Sequence, residues 1–282
     1  MRYLTALFLL PRPLNGLVTA LSVGVGALTS GQSLSWVLVL LAALSAALIN
    51  GAGNAFNDLI DIDIDRINRP GRPLPSGRLS PLVAGVQSLL LTLVGCLLAF
   101  WLSPWHGLAA LGVGALLIIY SIFLKNSLLW GNILIGCLGA IAFPYGALAV
   151  GDIGRSWIPA LFALLFHIGR EIVKDIEDVT GDRLRGEHTL PLRWGRAKAA
   201  VLAAFIYLSF VVFTWIPYLN DLYGLPYLMT VLPVDLLVLH VLWQLYRQRA
   251  ELADERLGRQ LKIGMLIGLI AIVIGELGFV LI

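Results

Sequence analysis

Nine apolar stretches follow one another along the 282-residue chain, near 12–30, 34–59, 80–102, 104–122, 129–150, 156–178, 196–219, 224–247 and 259–282. An α-helix needs about 20 apolar residues to cross the hydrocarbon core of a bilayer. Within lipid, only helices or closed barrels can satisfy their own backbone polar groups. Runs of this length therefore predict an all-α, polytopic membrane protein with nine transmembrane helices. Composition agrees, since 59% of the residues are hydrophobic and only 13% charged, with a mean hydropathy of +0.87. A soluble domain carries about 25% charged residues. The stretches on either side of residues 103–107 are joined so tightly that they must form a hairpin of two spans. The first apolar segment leads straight into the bundle without a small-residue cleavage site, so no cleavable signal peptide is expected. Cys96 and Cys137 lie in apolar segments without metal-ligand spacing and are expected to be small core residues. The 29 glycines are read as sites of close helix packing.

The basic residues set an orientation. Of 20 Lys and Arg, Arg155 alone falls on the side opposite the rest, and the loops TSGQSLS, SPWH and NDLYG carry none. Positive charge marks the cytoplasmic face, so the amino terminus is expected in the cytoplasm and the carboxyl terminus outside, in the cell membrane. Trp36, Trp101, Trp105, Trp157 and Trp215 mark one interface and Trp130 and Trp243 the other. The net charge of +3 is small, and no nucleic-acid partner is expected.

Against this apolar background, the end of the second span is a cluster of carboxylates that runs into arginines: NAFNDLIDIDIDRINRPGRPLPSGR. At 100° per residue, Asp58, Asp61 and Asp65 fall within about 60° of one another on a helix and make one acidic face. Asn54 lies on that face a turn earlier, Asn57 borders it, and Asp63 points away as a solvated or capping residue. The end of the sixth span repeats the pattern. Asp175, Asp178 and Asp182 keep the spacing of the first three at a constant offset, which also carries Asn50 onto His167, Asn54 onto Glu171, Asn57 onto Lys174 and Arg66 onto Arg183. If the two helix ends meet, six carboxylates converge, and such a charge is tolerable only around bound cations. Oxygen donors without a Cys or His cluster suit Mg²⁺, which takes a few carboxylates together with substrate phosphates. The motifs end the second and sixth spans, an even four spans apart, so both are expected on the cytoplasmic side.

The connections on that side carry the other candidates. Arg69 and Arg72 follow the first motif among Pro70, Pro73 and Pro75, and Tyr120, Ser121 and Lys125 follow the fourth span. Cations beside a carboxylate cluster are the groups that clamp phosphates. Arg170 and Lys174 lie within the sixth span itself, where a charge is expensive and usually functional. Arg78, Arg193, Arg196, Lys198 and the run from Arg247 to Lys262 are read as topology signals and lipid-headgroup contacts. His167 either lines the cavity or is a hydrogen-bonded core histidine. Asp235 and His240 are expected to pair or to make helix contacts, and Glu276 to reach the outer interface.

Both motifs, Asn57-Asp58-x-x-Asp61-x-x-x-Asp65 and Asp175-x-x-Asp178-x-x-x-Asp182, resemble those of the UbiA superfamily of intramembrane prenyltransferases. The similarity extends to Arg12-Pro-Leu-Asn15, INRPGRPLPSGRLS, YSIFLK, Gly131-Asn132 and TLP at 189–191. Within the superfamily, the tract REIVKDIEDVTGDRLRGEHTLP looks most like that of the digeranylgeranylglyceryl phosphate synthases, while quinone-type and chlorophyll-type members share its GD…G…LP portion. The resemblance implies a single transmembrane domain with two Asp-motif halves, helices 1–4 and 5–9, arranged around a central cavity under cytoplasmic cap loops. It implies Mg²⁺-dependent transfer of a prenyl group, geranylgeranyl in the lipid subgroup, from a polyprenyl diphosphate to geranylgeranylglyceryl phosphate or, in quinone-type and chlorophyll-type members, to an aromatic acceptor. Asn57, Asp58, Asp61, Asp65, Asp175, Asp178 and Asp182 would be the metal set, with Asp61, Asp65, Asp178, Asp182 and Lys125 carrying catalysis. Arg12, Asn15, Arg69, Arg72, Tyr120, Ser121, Lys125, Arg170 and Lys174 would bind substrate. Mg²⁺ and cations stabilise charge on the leaving diphosphate, and a dry, apolar cavity shelters the allylic cation. The rival class is an ion or solute transporter, which also uses intramembrane carboxylates. It fits poorly with charges gathered at one face.

Overall fold

The computed structural model describes residues 2–184, 188–247 and 256–280. These residues are helical apart from the connections, with no strand among them. In chain order the helices are α1 (Arg2–Leu9), α2 (Pro13–Thr29), α3 (Trp36–Ile60), α4 (Ile62–Asn68), α5 (Pro81–Leu102) and α6 (Pro104–Ile119). A π-helical turn (Tyr120–Leu124) follows, then α7 (Trp130–Leu148), α8 (Trp157–Leu184), α9 (Leu190–Trp194), α10 (Arg196–Leu219), α11 (Leu225–Arg247) and α12 (Arg256–Val280). Among the described residues eight helical segments are long and apolar enough to cross a membrane. The expected sixth span, α8, has 28 residues, but Arg170, Glu171 and Lys174 interrupt its apolar run. Large apolar side chains such as Trp36, Leu82, Leu97, Val201, Phe205 and Leu236 are exposed, which suits a surface solvated by acyl chains.

The chain divides into two compact units. Unit 1 comprises Met1–Lys125 and Ala142–Gly154. It opens with α1, a helix that the sequence reading missed because residues 2–9 are too few to form a span. Pro11 and Arg12 separate it from α2, which opens on Pro13, and Arg12 takes a left-handed conformation, φ 54°. Ala6 of α1 and Leu10 just after it are buried against Ala55, Leu74, Leu79 and Ala84. Further along α2, a methyl group built at Gly26 would lie 1.9 Å from the Phe143 carbonyl oxygen, and one built at Gly146 equally close to that of Val23. Only glycine permits backbones to cross so closely. Ser45 Oγ donates to the Gly95 carbonyl at 2.8 Å and lies 3.0 Å from Tyr145 Oη, while His106 Nε2 lies 3.1 Å from the Tyr145 carbonyl oxygen. These bonds satisfy polar groups that lipid cannot. Cys96 is buried as expected, whereas Cys137 is exposed and is no core residue. Its position on α7 turns it outward, and an apolar thiol is tolerated there.

Unit 2 comprises Asn126–Ile141 and Arg155–Ile282. Its core is Phe166, Ile172, Val173 and Ile176 of α8, Tyr207 and Phe210 of α10, Val234, Val238 and Val241 of α11, and Leu257 and Leu261 of α12. Phe166 meets Tyr207 and Phe210 edge to face, the arrangement favoured by the aromatic quadrupole. Two backbone N–H groups in the first turn of α12, at Leu257 and Gly258, donate to Glu177 Oε1 at 3.0 and 3.4 Å. A carboxylate of α8 thus caps a helix 80 residues away in sequence.

The expectation for Glu276 needs correction here, and those for Asp235, His240 and Arg78 gain their partners. Glu276 does not reach the interface. It is 2% exposed, pairs with Arg155 Nη2 at 2.6 Å and accepts the Tyr223 hydroxyl at 2.6 Å. Arg155, the basic residue expected on the side opposite the rest, is therefore paired with a buried carboxylate. The Glu276 hydrogen bond raises the Arg155 pKa above its ordinary value, and burial raises that of the Tyr223 phenol, so both remain donors. Of the two expectations for Asp235, pairing with His240 fails and helix contacts hold. Asp235 accepts from Thr214 Oγ1 at 3.2 and 3.3 Å and from Trp215 Nε1 at 3.2 Å, while His240 stacks on Trp243 and lies 2.6 Å from Gln244 Nε2. Arg78 is more than a headgroup contact, since it donates to the Gly71 carbonyl and to Ser76 Oγ and ties the loop after the first motif.

Candidate active site

In unit 1 the helix that carries the first motif bends within it. α3 ends at Ile60, Asp61 takes φ −88° and ψ 6°, and α4 resumes at Ile62. The backbone bonds Asp61 N–H to Asn57 and Asp65 N–H to Asp61, at 3.0 and 2.8 Å, carry the helical pattern across the bend. Asp58, Asp61 and Asp65 thus keep their common face and are 2%, 5% and 3% exposed. Asp63 points away, exposed and 2.7 Å from Arg66, as the helical spacing requires.

Each buried carboxylate is met by a cation. Arg12, projecting from the left-handed break before α2, pairs with Asp58. Arg72 reaches back from the Arg-Pro loop to Asp58 at 3.1 Å and to Asp65. Lys125 pairs with Asp61. Three carboxylates thus stand against three cations, which is how charge survives burial at this depth. Burial and the neighbouring Arg12 guanidinium lower the Arg72 pKa, against Asp58 and Asp65, which raise it.

The π-helical turn explains how Lys125 gets there. Its N–H bonds to the Tyr120 carbonyl at 2.9 Å, five residues back, and the wider turn shifts the residues after it around the helix axis. Ser121 Oγ donates to the Leu117 carbonyl at 2.9 Å and lies 3.4 Å from Asn57 Oδ1. Asn57 in turn donates to Asp61 Oδ2 at 2.8 Å. Asn54 donates to Asn50 Oδ1 at 2.9 Å and to the Pro11 carbonyl at 3.3 Å, so it braces the Arg12 break rather than joining the carboxylates. Asn15, Arg69 and Tyr120 are half-buried in the same unit.

In unit 2 the second motif lies wholly on α8. Asp175 accepts Asn132 Nδ2 of α7 at 2.9 Å, Asp182 is buried with Thr189 Oγ1 at 3.4 Å, and Asp178 is half-buried. Glu171, a turn before Asp175, is buried between Arg170 at 2.9 Å and Lys174 at 3.1 Å. The charges inside α8 thus compensate one another, as intramembrane charges must. His167 packs on Gly139 of α7, where a methyl group would lie 2.5 Å from its Cδ2, and its Nδ1 is buried without a hydrogen-bond partner. Arg185, in the tract after the motif, lies outside the described residues. Asn132, Glu177 and Tyr207 were not among the expected site residues. Only Asn132 carried a signal, as part of the Gly131-Asn132 pair.

The described residues contain no group of three His, Cys, Asp or Glu side chains gathered as a metal-binding set. The donor chemistry still fits a hard divalent cation. Asp58, Asp61, Asp65, Asp175 and Asp182 offer only oxygen, and Mg²⁺ needs one or two protein carboxylates when phosphates and water complete its shell.

Residues 17–267 match the UbiA prenyltransferase family. The digeranylgeranylglyceryl phosphate synthase of Methanothermobacter thermautotrophicus is 36% identical over 94% of this chain and 94% of its own. A solved structure concerned with digeranylgeranylglyceryl phosphate synthase in membranes superposes with a TM-score of 0.78 at 30% identity, covering 98% of this chain and 99% of its own. A UbiA homologue from Archaeoglobus fulgidus, bound to DMAPP and Mg²⁺, gives a TM-score of 0.75 at 20% identity over 100% of both chains; that likeness concerns the fold. With its two acidic motifs, its membrane-length helices and this family match over most of its length, the chain is a multi-pass membrane prenyltransferase that belongs to the UbiA prenyltransferase family.

Proposed function

We propose that the protein transfers a geranylgeranyl group from geranylgeranyl diphosphate to geranylgeranylglyceryl phosphate in ether-lipid synthesis, with Mg²⁺, and that its two units work as one domain with the active site on the cytoplasmic side. The observation that carries the proposal is the first motif, where three buried carboxylates hold Arg12, Arg72 and Lys125 at one helix end. A metal diphosphate brings both signs of charge and can take over both halves of these pairs. The likeness to relatives named for this product, over nearly the whole chain, supports the acceptor. The Mg²⁺ and DMAPP bound by the Archaeoglobus homologue support the metal and the donor class.

Asn57, Asp58, Asp61 and Asp65 from the first motif and Asp175, Asp178 and Asp182 from the second would hold the metal. When bound, Mg²⁺ neutralises charge on the diphosphate oxygens as the allylic C–O bond breaks. Arg12, Arg69, Arg72 and Lys125 bind the diphosphate and stabilise the charge that grows on it, an effect strongest away from water. Asn15, Tyr120 and Ser121 orient it, and the bonds from Ser121 to Asn57 and from Asn57 to Asp61 fix the donor face. Arg170 and Lys174 serve the acceptor phosphate. The glycerol hydroxyl attacks prenyl C1, and the departing pyrophosphate takes its proton. The test is a product assay offering geranylgeranylglyceryl phosphate and 4-hydroxybenzoate in competition. The ether lipid is expected; a prenylated benzoate would favour the aromatic acceptor.

A further inference from the structure

Tyr207 of α10 is, with Tyr223 and Tyr227, among the largest side chains buried completely in unit 2. Its ring lies on Gly169 of α8, where a methyl group would come within 2.7 Å of Cζ, and its edge meets Phe166. Gly169 thus brings the phenol against the turn that carries Arg170. The Tyr207 hydroxyl is buried and has no hydrogen-bond partner, and neither has Nε of Arg170. The other end of that guanidinium is committed to Glu171 through Nη1. Tyr207 lies within range of the charges of both Arg170 and Glu171.

Orphaned donors are rare in buried positions because each is costly. Two of them on adjoining helices call for a common acceptor. Both are donors, one belongs to a permanent cation, and Lys174 stands at the exposed rim with 35% of its side chain accessible. The complementary group is an anion rich in oxygen, for which a guanidinium is well shaped.

We propose that Tyr207 and Arg170, with Lys174 at the rim, form the seat of the lipid acceptor's phosphate, a set of residues separate from the cations that take the diphosphate. This inference rests on the acceptor reading above. Gly169 is the element that makes the seat, since any side chain there would drive the phenol away from Arg170.

The test is equilibrium binding to the full-length protein in lipid nanodiscs, without prenyl donor, using three probes: geranylgeranylglyceryl phosphate, geranylgeranylglycerol without the phosphate, and inorganic phosphate. Tyr207→Phe should weaken binding of the phosphorylated lipid about tenfold or more, as loss of a hydrogen bond to a charged group does, and leave the neutral lipid unaffected. Arg170→Lys should show the same selectivity, because a lysine keeps the charge but not the fork. Inorganic phosphate should bind far more weakly than the lipid. If Tyr207 is merely a core residue, deleting an orphaned hydroxyl leaves all three affinities within about twofold, and the proposal falls. It also falls if both lipids weaken equally, or if free phosphate binds as well as the lipid. Turnover is scored separately, so absence of a prenylated product counts against the reaction and leaves the binding result standing.

Discussion

Replacing Arg72 by Met removes the one side chain that spans Asp58 and Asp65. Asp58 keeps Arg12, but Asp65 loses its only ion-pair partner among the described residues while 3% exposed. Breaking a buried pair by removing one partner costs about 3 to 5 kcal/mol, because a charge stays behind without compensation. Arg72 is itself 20% exposed, so water reaches the pair and the lower end, about 3 kcal/mol, applies. At about 2 to 4 °C per kcal/mol for a chain of this size class, the thermal midpoint should fall by roughly 6 to 12 °C. Asp65→Asn leaves Arg72 on Asp58 and should cost about 1 kcal/mol, as loss of a partly solvated pair does. The double variant removes both charges and should fall close to Asp65→Asn alone, a coupling of about 3 kcal/mol in the cycle. Thermal unfolding followed by tryptophan fluorescence in detergent reads all four proteins. A midpoint for Arg72→Met within about 2 °C of the parent, or strict additivity in the cycle, would refute the claim that Arg72 neutralises a buried carboxylate.

Lys125→Gln keeps a hydrogen-bond donor near Asp61 but removes the charge proposed to meet the leaving diphosphate. It should lower kcat by about 100-fold or more with a smaller change in KM, measured by pyrophosphate release. Glu276→Gln should lower the thermal midpoint and leave kcat unchanged, because its partners Arg155 and Tyr223 lie apart from either motif in sequence; adding Arg155→Gln should restore much of the loss. Glu177→Ala uncaps α12 and should cost about 1 kcal/mol, seen as faster hydrogen exchange in the first turn of that helix. Asn132→Leu leaves Asp175 without its α7 donor and should weaken Mn²⁺ binding, detected calorimetrically, by about 10-fold.

The sequence showed what depends on local periodicity. Apolar length implied membrane helices, and the spacing of Asp58, Asp61 and Asp65 placed them on one face and Asp63 off it, because helical geometry alone decides that. It did not show the cations' partners. Lys125 meets Asp61 only because a π-turn, which has no sequence signature, redirects the end of α6. Arg12 meets Asp58 because the chain breaks between two prolines, a break hidden inside what looked like the start of a span. The Arg155–Glu276 pair joins residues 121 apart in sequence, and each alone resembles an interfacial charge. Likewise Tyr207 lies in an apolar span with no motif around it, and only its contact with Gly169 brings it beside Arg170.

The two acidic motifs are proposed to act on one metal diphosphate, so neither should work without the other. Pyrophosphate release from geranylgeranyl diphosphate, titrated with Mg²⁺ in the parent, in Asp61→Asn and in Asp178→Asn, tests this requirement. Release in the parent should depend on Mg²⁺, and each single substitution should reduce it by at least about 1,000-fold while the protein stays folded. Release that persists in either variant, or proceeds without a divalent metal, would contradict the shared site.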